Sequence, residues 1–305
     1  MSLGARWIDL LDPSREEIAR ESPVDLHRRA LERLLARPRL DQDGRPTFES
    51  HGDYVFALLL VPVGVPEEDR IYYQEIDLVL TPEVALTVRK TPPGEAPFDL
   101  GPLQLACDAH GKPTAGTIAY YLVDDVADRY LSLVELLDVE IEELEDGVET
   151  WPSSQVRRRL SALRRDVLQL RRTLAPTRDA VRRVVDGRVD VGDDAVFGRA
   201  LELDVANAND KLTRAVESLD LARELIASVR DYHQSKISQE QNEIVKRLAV
   251  IASLVLFPTF LVGVYGQNFD HMPELGWRLG YAFSWGLIVL TTIAQLAFFR
   301  RKKWI

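Results

Sequence analysis

The chain has 305 residues, enough for one large domain or two ordinary ones. Its 48 acids against 38 bases leave a formal net charge of −10, which argues against nucleic acid as a partner. A lone cysteine, Cys107, excludes an internal disulfide and any cysteine-rich zinc site.

Met1–Leu11 holds Arg6, Trp7 and Asp9 and no long apolar core, so no cleaved signal peptide is expected. Arg6–Leu11 reads as a short strand. Asp12-Pro13 is expected to start a helix, with Asp12 as cap, proline in the first turn and Glu16 and Glu17 near its positive end. Leu26, Ala30, Leu31, Leu34 and Leu35 place a helical stripe on Val24–Ala36, which Pro38 stops. Tyr54–Val61, Ile71–Leu80 and Val84–Lys90 are short and rich in valine, tyrosine and leucine, and read as strands. Pro66, Thr81-Pro82 and Pro92-Pro93-Gly94 punctuate them. A helix around Phe98–Ala109 completes an expected α/β domain over residues 1–112.

After Gly111-Lys112-Pro113 the strand signals stop. Thr117–Glu149 is one long helical pattern whose end is acidic, with Glu140, Glu142, Glu143, Glu145, Asp146 and Glu149. Ser153–Val185 is the opposite, carrying Arg157-Arg158-Arg159, Arg164-Arg165, Arg171-Arg172 and Arg182-Arg183. A basic helix also suits a nucleic-acid or membrane surface, but the acidic partner adjacent in sequence favours an antiparallel pair over 113–194, joined at Trp151-Pro152. From Ala195 the helical pattern resumes with an apolar seam of Val205, Leu212, Val216, Leu219, Leu225 and Val229, and no proline interrupts before Pro258. Such a helix of about 70 residues is roughly 100 Å long and needs partners along its length, so a bundle or oligomer is implied. Residues 195–247 form its stalk.

Two apolar runs follow. Leu248–Val264 is broken only by Ser253, Pro258 and Thr259, and Leu279–Phe299 is the second. Each approaches the ~20 residues of a spanning helix, so spans are expected at 248–265 and 279–299, joined by an outer loop at 266–278. Lys236, Lys246 and Arg247 precede the first, and Arg300-Arg301-Lys302-Lys303 follow the second, in a basic tail over 300–305. The loop holds Arg278 against Asp270 and Glu274, so both termini are expected in the cytosol. Trp277, Tyr281 and Trp304 suit the interfaces.

No phosphate-binding loop, Gly-x-Ser-x-Gly elbow or His-Glu-x-x-His motif is present, and His27, His51, His110, His233 and His271 have no ligand spacing. An enzyme is not expected. Leu248, Ala252, Leu256, Thr259, Gly263 and Gly266 recur at spacings of four and three and share one helical face. That face serves either close helix packing or a pore lining, and spacing leaves both open.

Tyr265-Gly266-Gln267-Asn268-Phe269 and Met272-Pro273-Glu274-Leu275 sit between the spans, after Asn242-Glu243-Ile244-Val245-Lys246-Arg247-Leu248 and before Arg301-Lys302-Lys303-Trp304-Ile305. With Asp125–Tyr130 and Leu170–Arg178, these blocks resemble the CorA family of magnesium transporters. Gln267 stands where that family's Gly-Met-Asn signature has methionine. The resemblance implies an α+β fold: a cytosolic α/β domain, a long helical stalk and two C-terminal transmembrane helices, assembled as a pentameric funnel in the cell (inner) membrane. It implies that Gly266 and Asn268 hold a hydrated divalent cation at the mouth, with Gln267 between them. Asn242, Leu248, Leu256, Thr259 and Gly263 carry over as pore-lining positions. Asp231 carries over as a site of regulatory magnesium. Asp270 and Glu274 are outer-loop acids that would concentrate cations. The leading expectation is magnesium influx gated by cytosolic magnesium. Zinc, cobalt or nickel transport is the nearer alternative, and a non-conducting membrane-anchored scaffold the more distant one.

Overall fold

The computed structural model describes residues 4–38, 44–65, 70–191, 196–267 and 272–304. It divides into two compact units, 1–229 and 230–305. Strands β1 (Arg6–Leu11), β2 (Thr47–Ser50), β3 (Val55–Val65), β4 (Arg70–Leu80) and β5 (Val84–Arg89) form one mixed sheet in the order β1-β5-β4-β3-β2. The β1–β5 pair is parallel and the others are antiparallel. Consecutive residues of a strand point to opposite faces, and Val55–Pro62 are all buried, so both faces of the sheet are covered at β3.

The helices are α1 (Arg15–Glu21), α2 (Arg28–Leu34), α3 (Gly101–His110), α4 (Ala115–Thr150), α5 (Ser153–Val185), α6 (Glu202–Tyr265) and α7 (Gly280–Arg301). Helix α4 packs on β3, β5, β1 and β4, and α5 on β2 and β3. Buried Ile118, Leu122, Val126 and Tyr130 of α4 share one core with the strands.

Several local expectations change. Asp12 does not cap α1. It takes a left-handed φ of 46°, and its carboxylate accepts hydrogen bonds from the backbone N–H and hydroxyl of Thr91. Ser14 is the cap: its hydroxyl accepts from Glu17 N at 3.2 Å, and the Glu17 carboxylate accepts from Ser14 N at 2.8 Å. That reciprocal box holds the Glu17 carboxyl below its ordinary range. Pro13 therefore precedes the helix. Helix α2 is shorter than Val24–Ala36, because Ser22 Oγ donates to Val24 O and the His27 N–H donates to Tyr54 Oη, fixing an extended lead-in. Strand β2 was not expected: of its four residues only Phe48 is buried, too little to show a period. Helix α3 begins at Gly101, not Phe98. A 3₁₀ turn at Arg199–Leu201 leads into α6, and Pro66 and Ala195 lie outside the described residues.

Helices α4 and α5 flank the Trp151-Pro152 turn, and the Arg159–Glu140 ion pair at 2.8 Å joins their oppositely charged faces. Lys211 of α6 reaches Asp124 and Asp128 of α4 at 2.7 and 2.8 Å, and Arg171 of α5 reaches Asp220 of α6 at 3.0 Å.

One charged cluster is buried beside the C-terminal end of α2. Lys90 Nζ donates to Glu75 Oε1 and to Arg33 O, and lies 2.7 Å from Asp77 Oδ2. Asp77 is fully buried and Lys90 nearly so. Burial pushes the Asp77 carboxyl up to about 7, against the pull of Lys90 and reinforced by Glu75. The desolvation of Lys90 acts to lower its own pKa, but the two carboxylates outweigh that and raise it. One ammonium thus serves two acids, and the cluster favours keeping a proton on Asp77.

Candidate functional site

The second unit contains the latter part of α6, a 3₁₀ turn at Pro273–Gly276 and α7. Helices α6 and α7 are each long and apolar enough to cross a membrane, and their most apolar windows lie almost wholly exposed. Burial on α6 is one-sided. Val250 is buried, and Ser253, Leu254, Pro258, Leu261, Val264 and Tyr265 are half-buried. Gln295 of α7 donates to Ser253 Oγ at 3.4 Å, which identifies this side as the one facing α7.

Leu248, Ala252, Leu256, Thr259, Gly263 and Gly266 are all exposed. At 3.6 residues per turn they lie about half a turn round the helix from the α7-facing set. No residue of this chain covers them among those described. A Cβ built on Gly263 would meet nothing within 4 Å, so its smallness serves no packing among the described residues. Thr259 Oγ1 donates back to Val255 O at 2.7 Å. Its one hydrogen is thereby used, and its lone pairs remain as acceptors on an open face. Pro258 has no N–H to give Leu254 O, a break that the bilayer tolerates on a side turned to a neighbouring helix. The hydroxyls of Ser284, Thr291 and Thr292 likewise bond to carbonyls of their own helix α7.

Helix α6 ends at Tyr265. Gly266 N donates to Val262 O at 2.9 Å, and Gln267 N donates to Val264 O at 3.3 Å. Both residues are exposed, and Gln267 follows the helix end directly. Asn268, Asp270 and His271 lie outside the described residues. Glu274 is half-buried in the 3₁₀ turn. Its carbonyl would lie 2.2 Å from a Cβ at position 280, so only glycine allows this turn to close on the start of α7.

Asn242 is exposed on the stalk part of α6. Asp231 is exposed too, and its carboxylate is engaged by Arg230 at 2.9 and 3.0 Å. Among the described residues, no group of three or more His, Cys, Asp or Glu could hold a metal ion. The sequence reading missed the Ser253–Gln295 pair. Gln295 is the one amide in the apolar run Leu279–Phe299, and that isolation was the available signal.

An open helix face on a membrane-length helix that continues from a long stalk suits a membrane protein, and the face alone fits helix packing and transport equally. The family model described as CorA-like Mg2+ transporter protein matches residues 2–301, and the chain belongs to that family of divalent-cation transporters. It is 25% identical over 306 residues to the cobalt/magnesium transport protein CorA of Thermotoga maritima, covering 98% of this chain and 83% of that one. Its fold is similar to the complete structure of the CorA magnesium transporter from Methanocaldococcus jannaschii. That match has a TM-score of 0.76 at 18% identity and covers 98% of this chain and 91% of that one. The full-length CmaX protein is similar at a TM-score of 0.68 and 21% identity, with 98% and 89% covered.

Proposed function

We propose that the chain assembles as a homopentamer whose five α6 helices surround an aqueous path for hydrated magnesium. The observation that carries this reading is the uncovered stripe from Leu248 to Gly266, with the lone pairs of Thr259 and the open Cα of Gly263 upon it. Several copies with this stripe turned inward would give its small and weakly polar residues water or a close neighbour.

Magnesium sheds water reluctantly, so its carrier should bind the hydrated ion through hydrogen-bond acceptors and not through tight carboxylate ligation. In this reading Gly266 carbonyls and Asn268 amides form a ring at the outer mouth. Neutral oxygens there hold the water shell without stripping it, which keeps exit fast. Gln267 replaces the apolar residue of the signature with an amide and tunes which ion lingers. Asp270 and Glu274 raise the local cation concentration, and Asn242 lines the inner end. Both termini lie in the cytosol of the cell (inner) membrane. Cytosolic magnesium closes the path by binding at Asp231 between subunits.

A second reading shares the fold: Gln267, if it faces the mouth, adds a polar ligand and favours cobalt, nickel or zinc, which bind such donors more tightly than magnesium does. Flux into liposomes with each ion in turn separates the two. Asn268→Ala should lose at least about tenfold in uptake of every divalent ion, as expected when a preorganised acceptor is removed. Gln267→Met should keep uptake and shift preference towards magnesium. Full transport by Asn268→Ala would show that no selecting ring exists. Unchanged preference in Gln267→Met would show that Gln267 plays no part in selection.

A further inference from the structure

A groove of about 620 Å³ opens in the second unit between the start of the first membrane-length segment and the end of the second. Lys246, Arg247 and Lys303 supply cations at its polar end, with Glu243 as the single acid. Val250, Ile251 and Leu254 form an apolar wall, and the Trp304 indole closes one side. Val250 is buried, while Ile251 is 61% exposed, so the wall continues outward as an apolar surface. None of Lys246, Arg247 and Lys303 has an ion-pair partner among the described residues.

The tail is shaped to build this wall. Helix α7 ends in a double hydrogen-bonded cap, with Lys303 N donating to Arg300 O and Trp304 N to Phe299 O, each at 3.0 Å. Lys303 occupies the left-handed position of that cap with φ 55°, a place glycine usually takes. The cap turns the chain back so that Trp304 stacks on Phe299, ring centres 5.9 Å apart and planes 18° from parallel. Glycine would make the same turn without strain. Lysine there places a cation at the groove and indole at the level where aromatic side chains favour the membrane interface.

We propose that this groove is a binding site for one anionic phospholipid. Its phosphate is held by Lys246, Arg247 and Lys303, and the first part of an acyl chain lies along Val250, Ile251 and Leu254. The charge is complementary, three cations against one acid, and the change from cationic to apolar lining follows the change from headgroup to hydrocarbon. A free phosphate would use the cations but leave the apolar wall wet. The inference rests on the reading of α6 and α7 as membrane spans, and not on conduction.

The test is native mass spectrometry of the full chain in detergent, titrated with phosphatidylglycerol or with phosphatidylcholine of the same acyl chains. Each cation near an anionic headgroup is worth about fivefold in affinity, so the wild type should retain phosphatidylglycerol far more tightly than phosphatidylcholine. Lys246→Gln/Arg247→Gln/Lys303→Gln should lose on the order of a hundredfold of that preference. Arg300→Gln/Arg301→Gln/Lys302→Gln removes the same charge from residues that do not line the groove and should stay within about twofold. Lys303→Gln alone, expected to cost about fivefold, keeps the test decisive if the triple variant does not accumulate. Equal losses in both triple variants would overturn the site in favour of diffuse surface charge. So would absence of a phosphatidylglycerol preference in the wild type, or displacement of the lipid by millimolar inorganic phosphate. A changed subunit number in the groove variant would mark an interface between copies and also overturn it. Because lipid retention is read without ion flux, a non-conducting protein that still binds phosphatidylglycerol would refute the transport reading alone.

Discussion

Replacing Asp77 by asparagine isolates the buried charge cluster of the first unit. The Asp77 carboxyl rises from its ordinary 3.8 to about 7 in the folded chain, chiefly because burial penalises the anion. A raised folded-state pKa means that the folded chain holds a proton the unfolded chain has released. Its contribution to stability is therefore complete below pH 3.8 and is lost as pH rises through about 7. At about 1.4 kcal/mol per pH unit, the loss between pH 5 and pH 8 is roughly 2–3 kcal/mol. An asparagine side chain cannot ionise and keeps the shape, so Asp77→Asn should remove that loss, and Glu75 still neutralises Lys90. Hydrogen exchange of β4 and β5 peptides in the full-length protein, corrected for the intrinsic pH dependence of exchange, reads local opening free energies at each pH. The stability advantage of wild type over variant should shrink by roughly 2–3 kcal/mol from pH 5 to pH 8. A difference that stays flat would show that Asp77 does not titrate in this window. A difference that grows with pH would show that Lys90 attraction outweighs burial, and would refute the reasoning.

Asp231→Ala should raise the magnesium concentration that closes transport by about tenfold, within the usual range of coupling between sites; an unchanged inhibition curve removes Asp231 from the sensor. The intact assembly in detergent should have the mass of a pentamer, and a monodisperse monomer or dimer would defeat the pore reading, because so few helices cannot enclose water.

Fold and site were legible to different depths, for a physical reason. Helix α5 runs over the residues its pattern delimits, Ser153–Val185, because Pro152 precedes it and its apolar residues keep a helical period against a partner in the same chain. Strands β3 to β5 showed through because they are short, rich in valine, leucine and tyrosine, and bounded by turn residues. Strand β2 did not, since its pairing is set by β3 and only Phe48 needs to be buried. The cap of α1 was misplaced because Asp12 and Ser14 are both good caps, and the choice falls to Thr91, distant in sequence, which engages Asp12. The Lys90–Glu75–Asp77 cluster could not be read at all, because only strand register brings β4 and β5 together there.

The membrane-length part of α6 poses a different problem. In the first unit the core residues are explained by other residues of the same chain: Leu122 or Val126 is buried because the sheet covers it. In the second unit Leu248 and Leu256 stay 64% and 70% exposed, and among the described residues the chain holds nothing to cover them. A bilayer would satisfy Val255, Phe260 and Val262 on the same helix equally well, so exposure alone does not separate a lipid face from a pore face. In the proposed reading the distinction is that small and weakly polar residues recur at one helical spacing on α6. Gly263 leaves its backbone bare where no described residue needs the space, and Thr259 turns lone pairs outward after using its hydrogen on Val255. In that reading a neighbouring α6 or a hydrated cation would give both residues a partner. The family membership establishes transport from the whole sequence, and the stripe on α6 is the face on which the proposed path would run.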